Sequence, residues 1–352
     1  MYPRVVINKT KLKENTEIIV NKAKAKDIHI FVVTKVHSAD INLARICLEA
    51  GVSAVADSRI QNLIKLKELP CEKILLRLPM LSEVEDVVKF ADISFNSELE
   101  TIEALNQAAM NQGIKHRIVV MFDLGDLREG FLPEDVDQVM PLILKNEWIK
   151  VEGIGVNLTC YGGVIPTPDN LSELTALANH IEKTYNLTLN IVSGGNSSSL
   201  YLLDGDSLPN RINNLRIGEG IVLGREAAYG EQIPGTHDDA FILEAQIVEY
   251  KFKNSVPRGL IGMDAFGNKP IFEDQGMIQR GIVAIGRQDV DHTNLIPVDE
   301  RLKILGASSD HMILDFTLAK SDYKVGDILS FKMEYGAMLK LFTSEYVEKV
   351  IL

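Results

Sequence analysis

Cysteine is scarce: the 352 residues include only Cys47, Cys71 and Cys160, an odd number with no Cys-x-x-Cys spacing. That pattern indicates neither a disulfide framework nor a thiolate zinc site, and no metal is expected. Long apolar runs are missing as well. The stretch 28–34 is interrupted by His29, and it falls far short of the ~20 residues that span a bilayer. The opening MYPRVVINKTKLKEN turns charged before any apolar segment of signal-peptide length, so the expected location is the cytoplasm. Basic charge is in deficit, with 37 Lys and Arg against 49 Asp and Glu and a formal net charge of -12. Such a balance repels a phosphate backbone and argues against nucleic-acid binding, leaving any phosphate to be held locally.

What remains is the composition of a globular protein, 46% hydrophobic and 24% charged, long enough for one large and one smaller domain. Eight short apolar, β-branched runs alternate with segments whose apolar residues fall at helical spacing. The runs are 28–35, 53–56, 73–76, 93–95, 117–122, 151–157, 189–193 and 213–216; helices are expected at, among others, 40–49, 58–69, 97–112, 134–145 and 170–185. Eight strand-then-helix units in a little over 200 residues are the arithmetic of an α/β fold of the (β/α)8 barrel type. Beyond about residue 230 helical periodicity fades, and strand-like runs at 241–250, 278–285, 301–305, 312–318 and 328–333 take over. The expected organisation is a barrel over 1–230 and a mostly-β domain over 231–352.

In a parallel barrel the loops after the strands hold the active site, and phosphate commonly binds after strands seven and eight. After strand one stands Thr34-Lys35-Val36-His37, a lysine at the end of an apolar strand. Desolvation there would lower its pKa and let the amine capture an aldehyde; an ordinary lysine reaching solvent is the alternative. After strand seven, Ser193-Gly194-Gly195-Asn196-Ser197-Ser198-Ser199 reads as an anion cradle, and after strand eight Arg216-Ile217-Gly218-Glu219-Gly220 offers a second glycine-bearing turn. Strand five is followed by Asp123 to Gly130 with Arg128 inside it, and strand six ends in Asn157. An aldehyde-capturing lysine, a phosphate cradle and arginines at one barrel mouth point to pyridoxal 5'-phosphate chemistry.

These residues resemble the fold-type III pyridoxal-phosphate enzymes, the alanine-racemase superfamily, over almost the whole chain. The likeness rests on Val33-Thr34-Lys35-Val36, Ala56-Asp57-Ser58-Arg59, the Asp123–Phe131 segment, Ser193 to Ser198, Leu215 to Gly218, and Gly306-Ala307-Ser308-Ser309-Asp310-His311. Within that group the motifs are most similar to the branch acting on ornithine. The resemblance implies an amino-acid racemase exchanging the Cα proton of ornithine, or of lysine, between two bases, in a homodimer whose β domain completes the partner's site. It makes Lys35 the cofactor lysine and one base. Arg128 would meet the cofactor's phenolic oxygen, Arg216 its pyridine nitrogen, and Asn157 the underside of its ring. Ser193 falls in the cradle, Ser197 with the amides of Gly218 and Glu219 would hold phosphate, and Tyr346 matches a phosphate-contacting tyrosine or is an ordinary strand residue. Ser309 and Asp310 match positions near the substrate carboxylate.

Two positions depart from the family pattern. Alanine racemases carry their second base as a tyrosine where this chain has Arg287, in Gly286-Arg287-Gln288-Asp289, and arginine stays protonated at any working pH. Either Asp289, His292 or His311 takes the proton, or Arg287 serves the substrate carboxylate, or the geometry differs. Ala39 stands near another family tyrosine that touches phosphate. A distal substrate ammonium would need a carboxylate partner, with Asp289, Asp291, Asp310 and Glu219 as candidates. Alternatives on the same scaffold are an alanine or broad-specificity racemase and a non-catalytic pyridoxal-phosphate homeostasis protein, although the latter lacks a β domain. D-threonine aldolase and D-serine dehydratase are more distant, because they carry a metal-binding His/Cys pair not seen here.

Overall fold

The computed structural model describes residues 1–205 and 207–352. The chain divides into two compact units, Thr10–His237 and a second made of Met1–Lys9 with Asp238–Leu352. Strand β1 (Arg4–Ile7) therefore belongs to the second unit, and the first opens with helix α1 (Lys9–Lys24).

In the larger unit, β2 (His29–Val33), β3 (Ala54–Asp57), β4 (Glu72–Leu75), β5 (Ile93–Asn96), β6 (His116–Phe122), β7 (Ile149–Val156), β8 (Ile191–Ser193) and β9 (Asn214–Ile217) form a closed parallel barrel. Between them run α2 (Ile41–Glu49), α3 (Ile60–Lys65), α4 (Val84–Phe90), α5 (Leu99–Gln112), α6 (Val136–Leu144) and α7 (Pro168–Tyr185), with the short α8 (Glu219–Leu223) after β9. Local chemistry sets these boundaries. Asp40 caps α2 by accepting from the amides of Asn42 and Leu43 at 2.8 and 3.2 Å. Thr167 and Asn170 form a reciprocal capping box at the start of α7, and Pro168 stands where its missing N–H costs nothing. The α3 helix starts two residues later than the 58–69 periodicity suggests, because Asp57 turns the chain before it with its Oδ1 accepting from the Arg59 amide, and it gives way to turns after Lys65.

The period of two fixes which side chains fill the barrel. Phe31, Val33, Ala54, Ala56, Ile74, Ile93, Phe95, Val119 and Met121 pack as one inward-facing cluster, whereas Ile118, Val120 and Phe122 face the helices in another.

In the smaller unit β10 (Phe241–Asn254), β11 (Met277–Val283), β12 (Leu295–Pro297), β13 (Lys303–Ala307), β14 (Met312–Asp315) and β15 (Ile328–Met333) run in the order β12-β15-β10-β11-β14-β13. Helix α9 (Tyr335–Thr343) and strand β16 (Glu348–Ile351) follow. Strand β1 pairs antiparallel with β10 and parallel with β16.

The domain expectation needs correction at both ends: the barrel unit ends at His237 rather than 230, and the first nine residues, read as part of the barrel, group with the smaller unit, to whose sheet Arg4–Ile7 adds a strand. The cause is pairing. Arg4 lies opposite Glu244 and Glu348 in the two ladders, partners so distant in sequence that nothing local marks them. No helix among the described residues is long and apolar enough to cross a membrane.

Candidate active site

The C-terminal strand ends bring most of the expected residues to one mouth. Alternation carries the inward series of β9 from Asn214 to Arg216, of β8 from Ile191 to Ser193, and of β7 through Gly155 to Asn157. Contacts agree with this. Arg216 donates to Ser193 Oγ at 2.6 Å, to the Val156 carbonyl at 2.8 Å and to Asn157 Oδ1 at 3.4 Å. Its guanidinium also lies 5.2 Å from the centroid of Phe95, on β5 across the barrel. All three acceptors are neutral, and Arg216 is only 4% exposed. Burial accordingly pulls its pKa down to about 10, against an opposing influence of Glu129. The guanidinium is still charged at neutral pH.

Ser193, expected in the anion cradle, has its hydroxyl committed elsewhere. It accepts from Arg216 and donates to Asn214 Oδ1 at 2.5 Å, while Asn214 Nδ2 donates to the His29 carbonyl at 3.1 Å. Ser193 thus orients the arginine. The cradle itself is made of the residues that follow. Gly195 takes φ +116, and a Cβ there would stand 2.6 Å from Ser199 Oγ. Asn196 Oδ1 accepts from the Ser198 amide at 2.9 Å, opening a 3-10 run over Ser197–Leu203. Ser197 Oγ accepts from the Gly220 amide at 3.1 Å, which joins the cradle to the Gly218-Glu219 turn at the head of α8. Ser198 Oγ is buried without a hydrogen-bond partner.

Sequence reasoning missed Asn196 and Asp126, each of which ties two loops together. Asn196 Nδ2 donates to Asn157 Oδ1 at 3.1 Å and to the Leu158 carbonyl at 2.9 Å. Asp126 is fully buried, and its carboxylate accepts from the amides of Tyr161, Gly162 and Val164 at 3.1, 3.1 and 3.3 Å. It staples the loop after β6 to the loop after β7. Gly130 closes the first of these loops at φ +144, where a Cβ would lie 2.1 Å from the Asp123 nitrogen. Arg128, two residues after Asp126, pairs with Glu129. Burial opposes the charge on Arg128, but Glu129 and Cys160 outweigh it and hold its pKa above the ordinary value. The only sequence signal for Asp126 was its place in a Gly-Asp loop.

Lys35 follows Thr34 at the end of β2 and opens a 3-10 turn, Lys35–His37. It is exposed at the barrel mouth. Ala39 is buried at φ 56.

The remaining expected residues lie in the smaller unit. The Arg287 amide donates to the Ser308 carbonyl at 2.8 Å and that of Gln288 to Ser309 at 3.0 Å, so the Arg287–Asp289 and Ser308–Asp310 turns pack backbone to backbone. The Arg287 guanidinium stacks 4.3 Å from the centroid of Phe266, and its Nε is buried without a partner. Asp289 is 8% exposed and accepts from Ser344 Oγ at 2.6 Å. Asp310 is exposed and accepts from Ser309 Oγ at 2.7 Å. His292 has its pKa lowered by burial and then by Arg287. Tyr346 is exposed in the loop between α9 and β16 rather than in a strand.

The family model for the alanine racemase N-terminal domain matches residues 7–226. The chain is 53% identical over 353 positions to the ornithine racemase of Acetoanaerobium sticklandii, covering 100% of each chain. It is 40% identical over 352 positions to the lysine racemase of Thermotoga maritima, covering 99% of this chain and 98% of the other. Among solved structures, an alanine racemase from Streptomyces coelicolor A3(2) matches with a TM-score of 0.77 at 17% identity, covering 99% of this chain and 97% of that one. At that identity the likeness is one of fold.

Proposed function

The chain belongs to the alanine racemase family, and from that premise we propose that it interconverts L- and D-ornithine, with lysine as a second substrate, using pyridoxal 5'-phosphate at the barrel mouth. The observation that carries the reading is Arg216, a charge buried among neutral acceptors. The residues fit the cofactor: a lysine follows β2, the buried Ser198 Oγ lacks a partner in the Gly-Ser loop, and the Ser197 hydroxyl with the Gly218 and Glu219 amides can receive phosphate.

When bound, the cofactor supplies an electron sink that makes the substrate's Cα proton removable. Arg216 would face the ring nitrogen as a fixed cation and disfavour its protonation. Arg128 would donate to the phenolic oxygen, and Asn157 would support the ring. Lys35 would anchor the cofactor and, once released by substrate, accept and return the proton on one face of Cα. The opposite face needs a second proton carrier. We assign it to the Arg287–His292 segment or His311 of a partner subunit's β unit, with Arg287 serving the substrate carboxylate if Asp289, His292 or His311 moves the proton. Support for His292 is that burial and then Arg287 lower its pKa and so favour the neutral, proton-accepting imidazole. Ser309 and Asp310, packed against Arg287, and Tyr346 complete the proposed set.

The test is loss of the Cα–H signal by NMR in heavy water, with appearance of the D-isomer, for ornithine, lysine and alanine. Exchange on ornithine and lysine that disappears in Lys35→Ala supports the reading. Exchange on alanine alone overturns the substrate assignment, and no exchange despite cofactor uptake would make the protein a carrier.

A further inference from the structure

The Ala56–Arg59 motif has no role in the set of residues proposed above to hold the cofactor or move the proton. Asp57 ends β3, and because Ala54 and Ala56 face the barrel interior, alternation turns it outward, toward α3. It is fully buried, and three donors converge on it. Thr34 Oγ1 lies 2.7 Å from Oδ2, while the Arg59 amide and Asn62 Nδ2 lie 2.9 and 3.0 Å from Oδ1. Asn62 Oδ1 in turn accepts from Lys65 Nζ at 3.1 Å, and the same ammonium donates to the Ser38 carbonyl at 3.0 Å.

The circuit Thr34–Asp57–Asn62–Lys65–Ser38 therefore grips the Lys35–His37 turn from both sides. That turn is strained, because it exits through Ser38 and Ala39 at φ 52 and 56. Left-handed backbone at non-glycine residues persists only where its surroundings over-determine it. Packing alone does not call for this arrangement. Burial raises the pKa of Asp57 despite its donors, and an apolar side chain of similar size would avoid that desolvation cost. What the carboxylate supplies is direction: it fixes the hydroxyl of the residue immediately before Lys35.

We infer that Asp57 and Asn62 are positioning residues that clamp the Thr34–Ser38 turn so that the Lys35 amine leaves the strand end in one orientation. The inference rests on Lys35 being the cofactor lysine.

The test uses Thr34→Val, which removes the hydroxyl at nearly constant volume, Asn62→Leu, which cuts the far arm, and Thr34→Ser, which restores the hydroxyl. In the apo proteins, hydrogen exchange is read at the amides of residues 35–39, together with melting temperature. The rate at which yellow absorbance develops on mixing with pyridoxal phosphate is the second readout. Loss of a hydrogen bond to a buried carboxylate predicts about tenfold faster exchange and about tenfold slower colour development in Thr34→Val. Asn62→Leu should change both in the same direction, and Thr34→Ser should return both to within twofold of wild type. The clamp is overturned if Thr34→Val and Asn62→Leu, both folded, keep wild-type exchange and colour rates, or if Thr34→Ser fails to restore them. Wild-type absorbance in Lys35→Ala would instead overturn the lysine assignment, whatever the amide exchange reports.

Discussion

Ser193 ends β8 and Ser198 lies in the 3-10 run just beyond it, both fully buried, yet the same substitution should affect them very differently. Ser193→Ala removes the acceptor of a charged Arg216 N–H at 2.6 Å and the donor to Asn214 Oδ1 at 2.5 Å. A hydrogen bond to a charged group contributes about 1.5–3 kcal/mol, and a buried acceptor left without its donor costs about 1–3 kcal/mol more, with some overlap between the two. A net loss of about 3 kcal/mol follows. A unit the size of residues 10–237 shifts by about 2–4 °C per kcal/mol, so its melting point should fall by about 6–12 °C. Ser198 Oγ has no partner to lose, and Ser198→Ala should stay within about 0.5 kcal/mol of wild type or gain slightly. Scanning calorimetry of the two apo variants side by side is the assay, with Asn214→Leu as a third member expected to follow Ser193→Ala. If both serine variants melt together, the Asn214–Ser193–Arg216 chain does not hold the arginine as described.

Two further outcomes follow from buried groups. His116 is buried against Ser94, and burial lowers its pKa to about 4. The unfolded chain therefore takes up a proton near pH 6.5 that the native state refuses, so this contribution is complete above that pH and is lost as pH falls toward 4. Between pH 7 and 4.5 the loss is about 2–3 kcal/mol. Urea unfolding of His116→Gln should show a correspondingly shallower acid decline, and an unchanged decline would contradict the assignment. Asp126→Ala should speed amide exchange at Tyr161 and Val164 by at least about tenfold, whereas the Gly162 amide keeps the Asp126 main-chain carbonyl at 3.0 Å and should change less. Asp126→Asn should fall between, because Oδ1 alone already accepts from Gly162 and Val164; wild-type protection of Tyr161 and Val164 in the alanine variant would refute the staple.

The barrel was legible because it is written in local periodicity: each of the eight runs falls on a barrel strand, and Arg216 could be assigned to the mouth from its place at the end of the last. Lys35, Asn157 and Ser197 follow from the same rule. Less legible were residues whose meaning depends on a distant partner. Strands β1, β12 and β16 lie outside the strand-then-helix repeat that marks the equally short barrel strands, and β1 finds its partners only at Phe241–Glu244 and Glu348–Ile351. The roles of Asp126 and Asn196 appear only when neighbouring loops are brought together. Ser193 reads as a phosphate donor in its glycine-serine context, whereas the structure turns its hydroxyl to Arg216. On Arg287 the sequence offered the mismatch with a family tyrosine and a candidate carboxylate partner, but not the Phe266 ring that stacks on its guanidinium from twenty-one residues earlier, in the connection between β10 and β11.

Strand β1 sits between β10 and β16, which makes the smaller unit discontinuous along the chain. During synthesis at roughly 5–20 residues per second, the segment Arg4–Ile7 leaves the ribosome first and has no sheet to join until Phe241–Glu244 follow it out. The whole of Thr10–His237 emerges in the interval, so the barrel can form while β1 waits for its partners, and its parallel ladder with Glu348–Ile351 closes only after β10 has emerged.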